Sequence, residues 1–126
     1  MTEYEIQCQF VEYLDKLIKD GIDIKYTAIP NSTYTTSWAS KAKNKKLGLR
    51  AGLCDMFLIV NNIPFFLELK TVTGKLSKEQ KNWIEKINKT NIIKAYVCYT
   101  YEQAVDLVLR ILKNGDIIKN ANMEVR

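Results

Sequence analysis

The chain has 126 residues, 47% of them hydrophobic and 26% charged, with a net charge of +5; that length suits a single domain, 1–126, with one core over about 3–115. It contains no histidine, which excludes every mechanism that needs an imidazole as base, nucleophile or metal ligand and leaves chemistry to carboxylates and lysines. The basic excess favours polyanionic partners, and no apolar run approaches the roughly 20 residues of a membrane span.

In chain order, Ile6, Phe10, Tyr13, Leu14 and Leu17 recur at spacings of three and four, which predicts an amphipathic helix over 3–19 ended by Asp20-Gly21. Thr2 with Glu5 makes a capping box at its start, a structural role that leaves Glu3 free to point elsewhere. Residues 22–29 read as a first strand, broken by Pro30-Asn31-Ser32-Thr33. A polar and then basic stretch follows, with Lys41, Lys43, Lys45, Lys46 and Arg50 around a short helix expected at 35–43. Such a charge run is ordinarily a solvated surface. Because it leads directly into Gly52 and Asp55, phosphate contact is the favoured reading.

Two almost wholly apolar runs, 56–60 and 63–69, flank Asn61-Asn62 and predict a hairpin with a two-residue turn. The second strand is expected to end at Gly74. Ser77 and Gln80 form another capping box, opening a helix with Trp83, Ile84 and Ile87 on its apolar face. Residues 92–99 read as a further buried strand. Thr100 with Gln103 then caps a last helix whose Ala104, Val105, Val108, Ile111 and Leu112 face inward, stopped by Asn114-Gly115. The tail 116–126 has no clear period. The order α-β-β-β-α-β-α predicts an α/β fold with a central mixed sheet flanked by helices.

The hairpin register places Asp55 opposite Glu68, with Cβ atoms about 4.5–5.5 Å apart. Lys70, two residues on, shares their face while Leu67 and Leu69 point to the core. Alone, Glu68-x-Lys70 reads as an ordinary surface ion pair. Within runs this apolar, however, the charges interrupt strands covered on both faces, and buried like charges call for a cation between them. A hard divalent ion held by carboxylate oxygens fits, and the three residues outline a metal-dependent phosphodiesterase site.

The element order together with Gly52-x-x-Asp55, Glu68-x-Lys70 and Ser77-x-x-Gln80-x-x-Trp83 resembles the PD-(D/E)XK nuclease superfamily, and within it the virus-type replication-repair nuclease (VRR-NUC) domain, from Glu3 to about Gly115. The resemblance implies a restriction-endonuclease-like fold that cleaves DNA with Mg²⁺ or Mn²⁺. Asp55 and Glu68 would hold the metal, the Leu69 carbonyl would complete its shell, and Lys70 would orient or activate the attacking water. Glu3 matches the family's first-helix acid, with Glu5 as the alternative one step along, and Gln80 matches a helix residue near the site. Homodimers acting on branched DNA such as four-way (Holliday) junctions are also implied. Cys54 departs from the pattern by standing where the superfamily expects proline. The competing readings are a DNA-binding module that recognises branched structures without cutting, and a structural assembly protein with an ion-paired surface.

The cysteines Cys8, Cys54 and Cys98 are odd in number, far apart and among apolar neighbours. Buried thiols are expected rather than disulfides or a zinc site. With a polar, acidic start unlike a secretory leader, this places the chain in a cytoplasm.

Overall fold

The computed structural model describes residues 1–30 and 38–121. The expected break at Asn31-Ser32-Thr33, the first residues of the short helix placed at 35–43 and the end of the tail lie outside them. The elements are α1 (Glu3–Lys19), β1 (Ile24–Ala28), α2 (Trp38–Lys46), β2 (Met56–Val60), β3 (Ile63–Leu69), α3 (Lys78–Lys89), β4 (Lys94–Cys98) and α4 (Tyr101–Ala121). Strands lie in the order β1-β2-β3-β4. β2 is antiparallel to its two neighbours, β1 and β3, and β4 is parallel to β3. A parallel partner needs a crossover, which α3 supplies. This is the expected mixed α/β sheet flanked by helices, with α2 as an additional element in the order.

The β2–β3 register follows from the turn. Asn61 and Asn62 have φ of 48° and 68°, the left-handed pair that a tight type I′ hairpin requires and that asparagine tolerates better than most residues. Val60 therefore faces Ile63, and Met56 faces Leu67. Period-two alternation sends Met56, Leu58, Val60, Ile63, Phe65, Leu67 and Leu69 to one face, where they join Ile6, Phe10 and Leu14 of α1 and Ala104, Leu107, Val108 and Ile111 of α4. Beneath α3 a smaller cluster forms from Cys54, Ile87 and Ala95, with Leu53, Phe66, Ile84 and Ile93 packed on it. Each fully buried large side chain contributes about 1.5–3 kcal/mol, so the α1–α4 face supplies most of the hydrophobic stability.

Several boundaries differ from those expected. β3 ends at Leu69 rather than Gly74: the Lys70 N–H still reaches the Cys98 carbonyl of β4, but a turn then closes from Thr71 to Gly74. The last core helix stops at Asn114 (φ −118°, ψ 25°) as expected, but a second helical segment follows it across a kink, to Ala121. Cys8 is exposed on the outer side of α1, whereas Cys54 and Cys98 are buried. Among the described residues, no helix is long and apolar enough to cross a membrane.

The strained turn yields a stability prediction. Asn62→Gly should relieve the cost of a side chain at positive φ and raise unfolding free energy in urea by roughly 0.5–1 kcal/mol. A loss of stability would mean that the Asn62 side chain contributes more than its backbone strain costs.

Candidate active site

Four elements converge where β3 ends. Asp55 sits one residue before β2, its carbonyl accepting from the Ile29 N–H at 2.8 Å, so the β1–β2 ladder still holds its backbone. Its carboxylate turns across the hairpin and accepts the Leu69 N–H at Oδ2, 2.7 Å away. The register that pairs Met56 with Leu67 brings Glu68 opposite Asp55. Glu68 is 1% exposed. Its Oε2 accepts from Gln80 Nε2 at 3.0 Å and lies 3.8 Å from Lys70 Nζ, while its Oε1 is buried without a hydrogen-bond partner.

Lys70 Nζ also lies 3.8 Å from Glu3 Oε2. The helix cap decides which acid of α1 arrives there. Glu5 accepts from the Thr2 N–H at 2.9 Å while its own N–H donates to Thr2 Oγ1 at 3.1 Å, which commits Glu5 to the N-terminus. Gln80 combines the two roles weighed for it: its Oε1 accepts from the Ser77 N–H at 2.8 Å, completing the α3 cap, and its amide nitrogen serves Glu68. Capping therefore orients Gln80 toward the site.

Burial, and next the charge of Asp55, push the Glu68 carboxyl up from 4.5 to about 8, against the pull of Lys70. A carboxylate so placed gains from any cation that replaces its lost solvation. Among the described residues no group of three or more His, Cys, Asp or Glu could hold a metal. Two carboxylates nevertheless fit magnesium, which takes one or two and keeps several waters. The unpartnered Glu68 Oε1 is the atom that fits such an ion best. Of Leu69, the group tied to the site is the amide, through Asp55.

The basic cluster is arranged differently. Lys41, Lys43, Lys45 and Lys46 are exposed on α2, and the cation paired with Glu68 is Lys70. Arg50 donates to the carbonyls of Lys45 and Leu49 at 3.0 and 3.1 Å, closing the C-terminal end of α2, where orphan carbonyls need donors. Trp83, expected on the apolar face of α3, is 36% exposed, and its indole N–H donates to the Ala51 carbonyl at 3.1 Å. Nothing in the helical period signals that bond, because it depends on where the loop before β2 lies.

The VRR-NUC domain family matches the chain over residues 3–101. A solved structure titled as a VRR-NUC domain protein is 19% identical, with a TM-score of 0.69, over 90% of this chain and 89% of its own. A second, titled as a VRR-NUC domain, is 16% identical, with a TM-score of 0.57, over 86% of this chain and 96% of its own. At such identities the likeness is one of fold. No curated protein matches the chain.

Because folding raises the Glu68 pKa from 4.5 to about 8, the folded protein binds more protons than the unfolded chain between those values, and stability falls as pH rises through that window. Urea unfolding in EDTA should show this fall, and Glu68→Gln should flatten it. An undiminished slope in the variant would assign the titration to another group.

Proposed function

Because the chain belongs to the VRR-NUC domain family, a nuclease-type family of DNA-processing domains, we propose that it is a Mg²⁺- or Mn²⁺-dependent deoxyribonuclease that hydrolyses phosphodiester bonds, with a preference for branched DNA such as four-way junctions. The observation that carries this reading is the buried Glu68 carboxylate, with one oxygen unpartnered and the Asp55 charge raising its pKa. In this reading Asp55 and Glu68 hold the cation and the Leu69 carbonyl completes the protein's share of its shell. The bound ion would polarise a phosphate oxygen and lower the pKa of its water.

The remaining work falls to the chain's own groups. Gln80 holds Glu68 Oε2 at 3.0 Å, which leaves Oε1 for the ion. Lys70 orients the attacking water and offsets the negative charge that develops on phosphorus, where fixed positive charge is most effective. Glu3, 3.8 Å from the Lys70 ammonium, restrains it in that place. The water oxygen bonds to phosphorus as the bond to the leaving sugar oxygen breaks; the attacking water gives up one proton to solvent and the leaving oxygen takes one up from solvent, so the products are a phosphate monoester and an alcohol. Lys41, Lys43, Lys45, Lys46 and Arg50 contact backbone phosphates, Arg50 while also closing α2. A cytoplasmic homodimer, one domain per copy, would present two sites to the two strands of a junction.

Labelled four-way junction, flap and linear duplex should be cut in Mg²⁺ or Mn²⁺ but not in EDTA, with the junction cut fastest. Asp55→Ala, Glu68→Ala and Lys70→Ala should each lower the rate by about 10²-fold or more with fold and DNA affinity largely kept. Full activity in any of the three would refute its assignment, and binding without cutting in every metal would favour the recognition module. Replacing Lys43, Lys45 and Lys46 by Ala should weaken DNA binding and reduce its salt dependence by about one ion released per lost contact. An unchanged salt slope would remove α2 from the interface.

A further inference from the structure

Helix α3 touches Glu68 and the loop that carries Asp55, while contributing neither carboxylate. In its first turn Gln80 holds Glu68. One turn on, Trp83 Nε1 donates to the carbonyl of Ala51 at 3.1 Å, four residues before Asp55. Between these two contacts the loop lies directly on the helix: a Cβ added to Gly52 would sit 2.6 Å from Glu79 Cβ, 2.7 Å from Glu79 C and 2.9 Å from Glu79 O. Gly52 also has φ of +100°, so a larger residue would be strained as well as displaced. Leu53 and the buried Cys54 then lead into Asp55, packed in the same small cluster as Ile84 and Ile87 of α3.

The helix is itself fixed. Asn88 accepts from the Ala95 N–H at 2.8 Å and donates to the Ala95 carbonyl at 3.2 Å, which ties α3 to β4. The loop carrying Asp55 and the side chain of Glu68 are therefore both referred to one bar anchored in the sheet. Packing alone does not explain Trp83, since a third of its surface is exposed and a phenyl ring would fill the same apolar contact. What the indole adds is the N–H on the Ala51 carbonyl.

We propose that Trp83, acting with Gly52, is a positioning residue that sets the separation of Asp55 and Glu68. The proposal rests on the metal-dependent reading above, because that separation matters to a cation held between the two carboxylates. A loop free to retreat would let the two carboxyl groups separate at the expense of a preformed site. Seating the loop on α3 removes that freedom, as the supports behind metal ligands generally do.

Trp83→Phe keeps the ring and removes the donor. Calorimetric titration of Mn²⁺ into the full chain, without DNA, should give a Kd roughly three- to tenfold higher than wild type, the size expected for one lost hydrogen bond. In the metal-free variant the Leu69 amide, which donates to Asp55, should exchange its hydrogen faster. Gly52→Ala, which pushes the same loop off Glu79 without altering the aromatic, should produce both changes and replaces Trp83→Phe if that variant does not fold. Wild-type Mn²⁺ affinity and Leu69 exchange in a folded variant would overturn the positioning role. A wild-type chain that binds no Mn²⁺ would overturn the metal reading and this inference with it, a failure told apart because it appears before any substitution.

Discussion

The burial of Glu68 beside Asp55 is the constraint around which the fold is arranged. An ionised carboxylate taken out of water destabilises a fold by several kcal/mol unless it is paired, bonded or given a cation. Lys70 and Gln80 compensate in part, each on Oε2, while Oε1 has no hydrogen-bond partner and the carboxyl's proton affinity stays high. A chain that keeps such a group at the end of a core strand carries a local instability that the rest of the structure must hold in place.

The distribution of apolar residues provides that support. One face of the sheet is closed by α1 and α4 over a large, continuous core, which secures β2 and β3 whatever happens on the opposite side. The α3 face has few buried apolar residues, and its polar work is done by hydrogen bonds from Gln80, Trp83 and Asn88. Stability and chemistry thus occupy opposite faces of one sheet.

Helix caps link the two faces. The box formed by Thr2 and Glu5 takes one acid of α1 and leaves the other toward Lys70. The box formed by Ser77 and Gln80 holds the glutamine carbonyl so that its amide meets Glu68. In both cases a local backbone requirement, the unsatisfied N–H groups of a helix start, places a side chain at the site.

Much of this was legible in the sequence because it depends on short-range periodicity. Alternation about Asn61-Asn62 determined the hairpin register, and with it the opposition of Asp55 and Glu68 and the common face of Lys70. The caps favoured Glu3 over Glu5 as the acid of α1 near the site, and the choice between them was left to the structure, which commits Glu5 to Thr2 and sets Glu3 beside Lys70. Less was legible where the outcome depends on chain segments meeting in space. The helix α2 at Trp38–Lys46 and the end of β3 at Leu69 were misplaced, because propensity locates weakly amphipathic or interrupted segments poorly. Cys8, expected buried but flanked by Gln7 and Gln9, lies exposed on α1, since helical phase sets its direction. The seat of Gly52 on Glu79 and the bond from Trp83 to Ala51 were decided only by tertiary structure: they join a loop to a helix some thirty residues away, and no local pattern encodes a contact that exists only once the sheet has brought the two together.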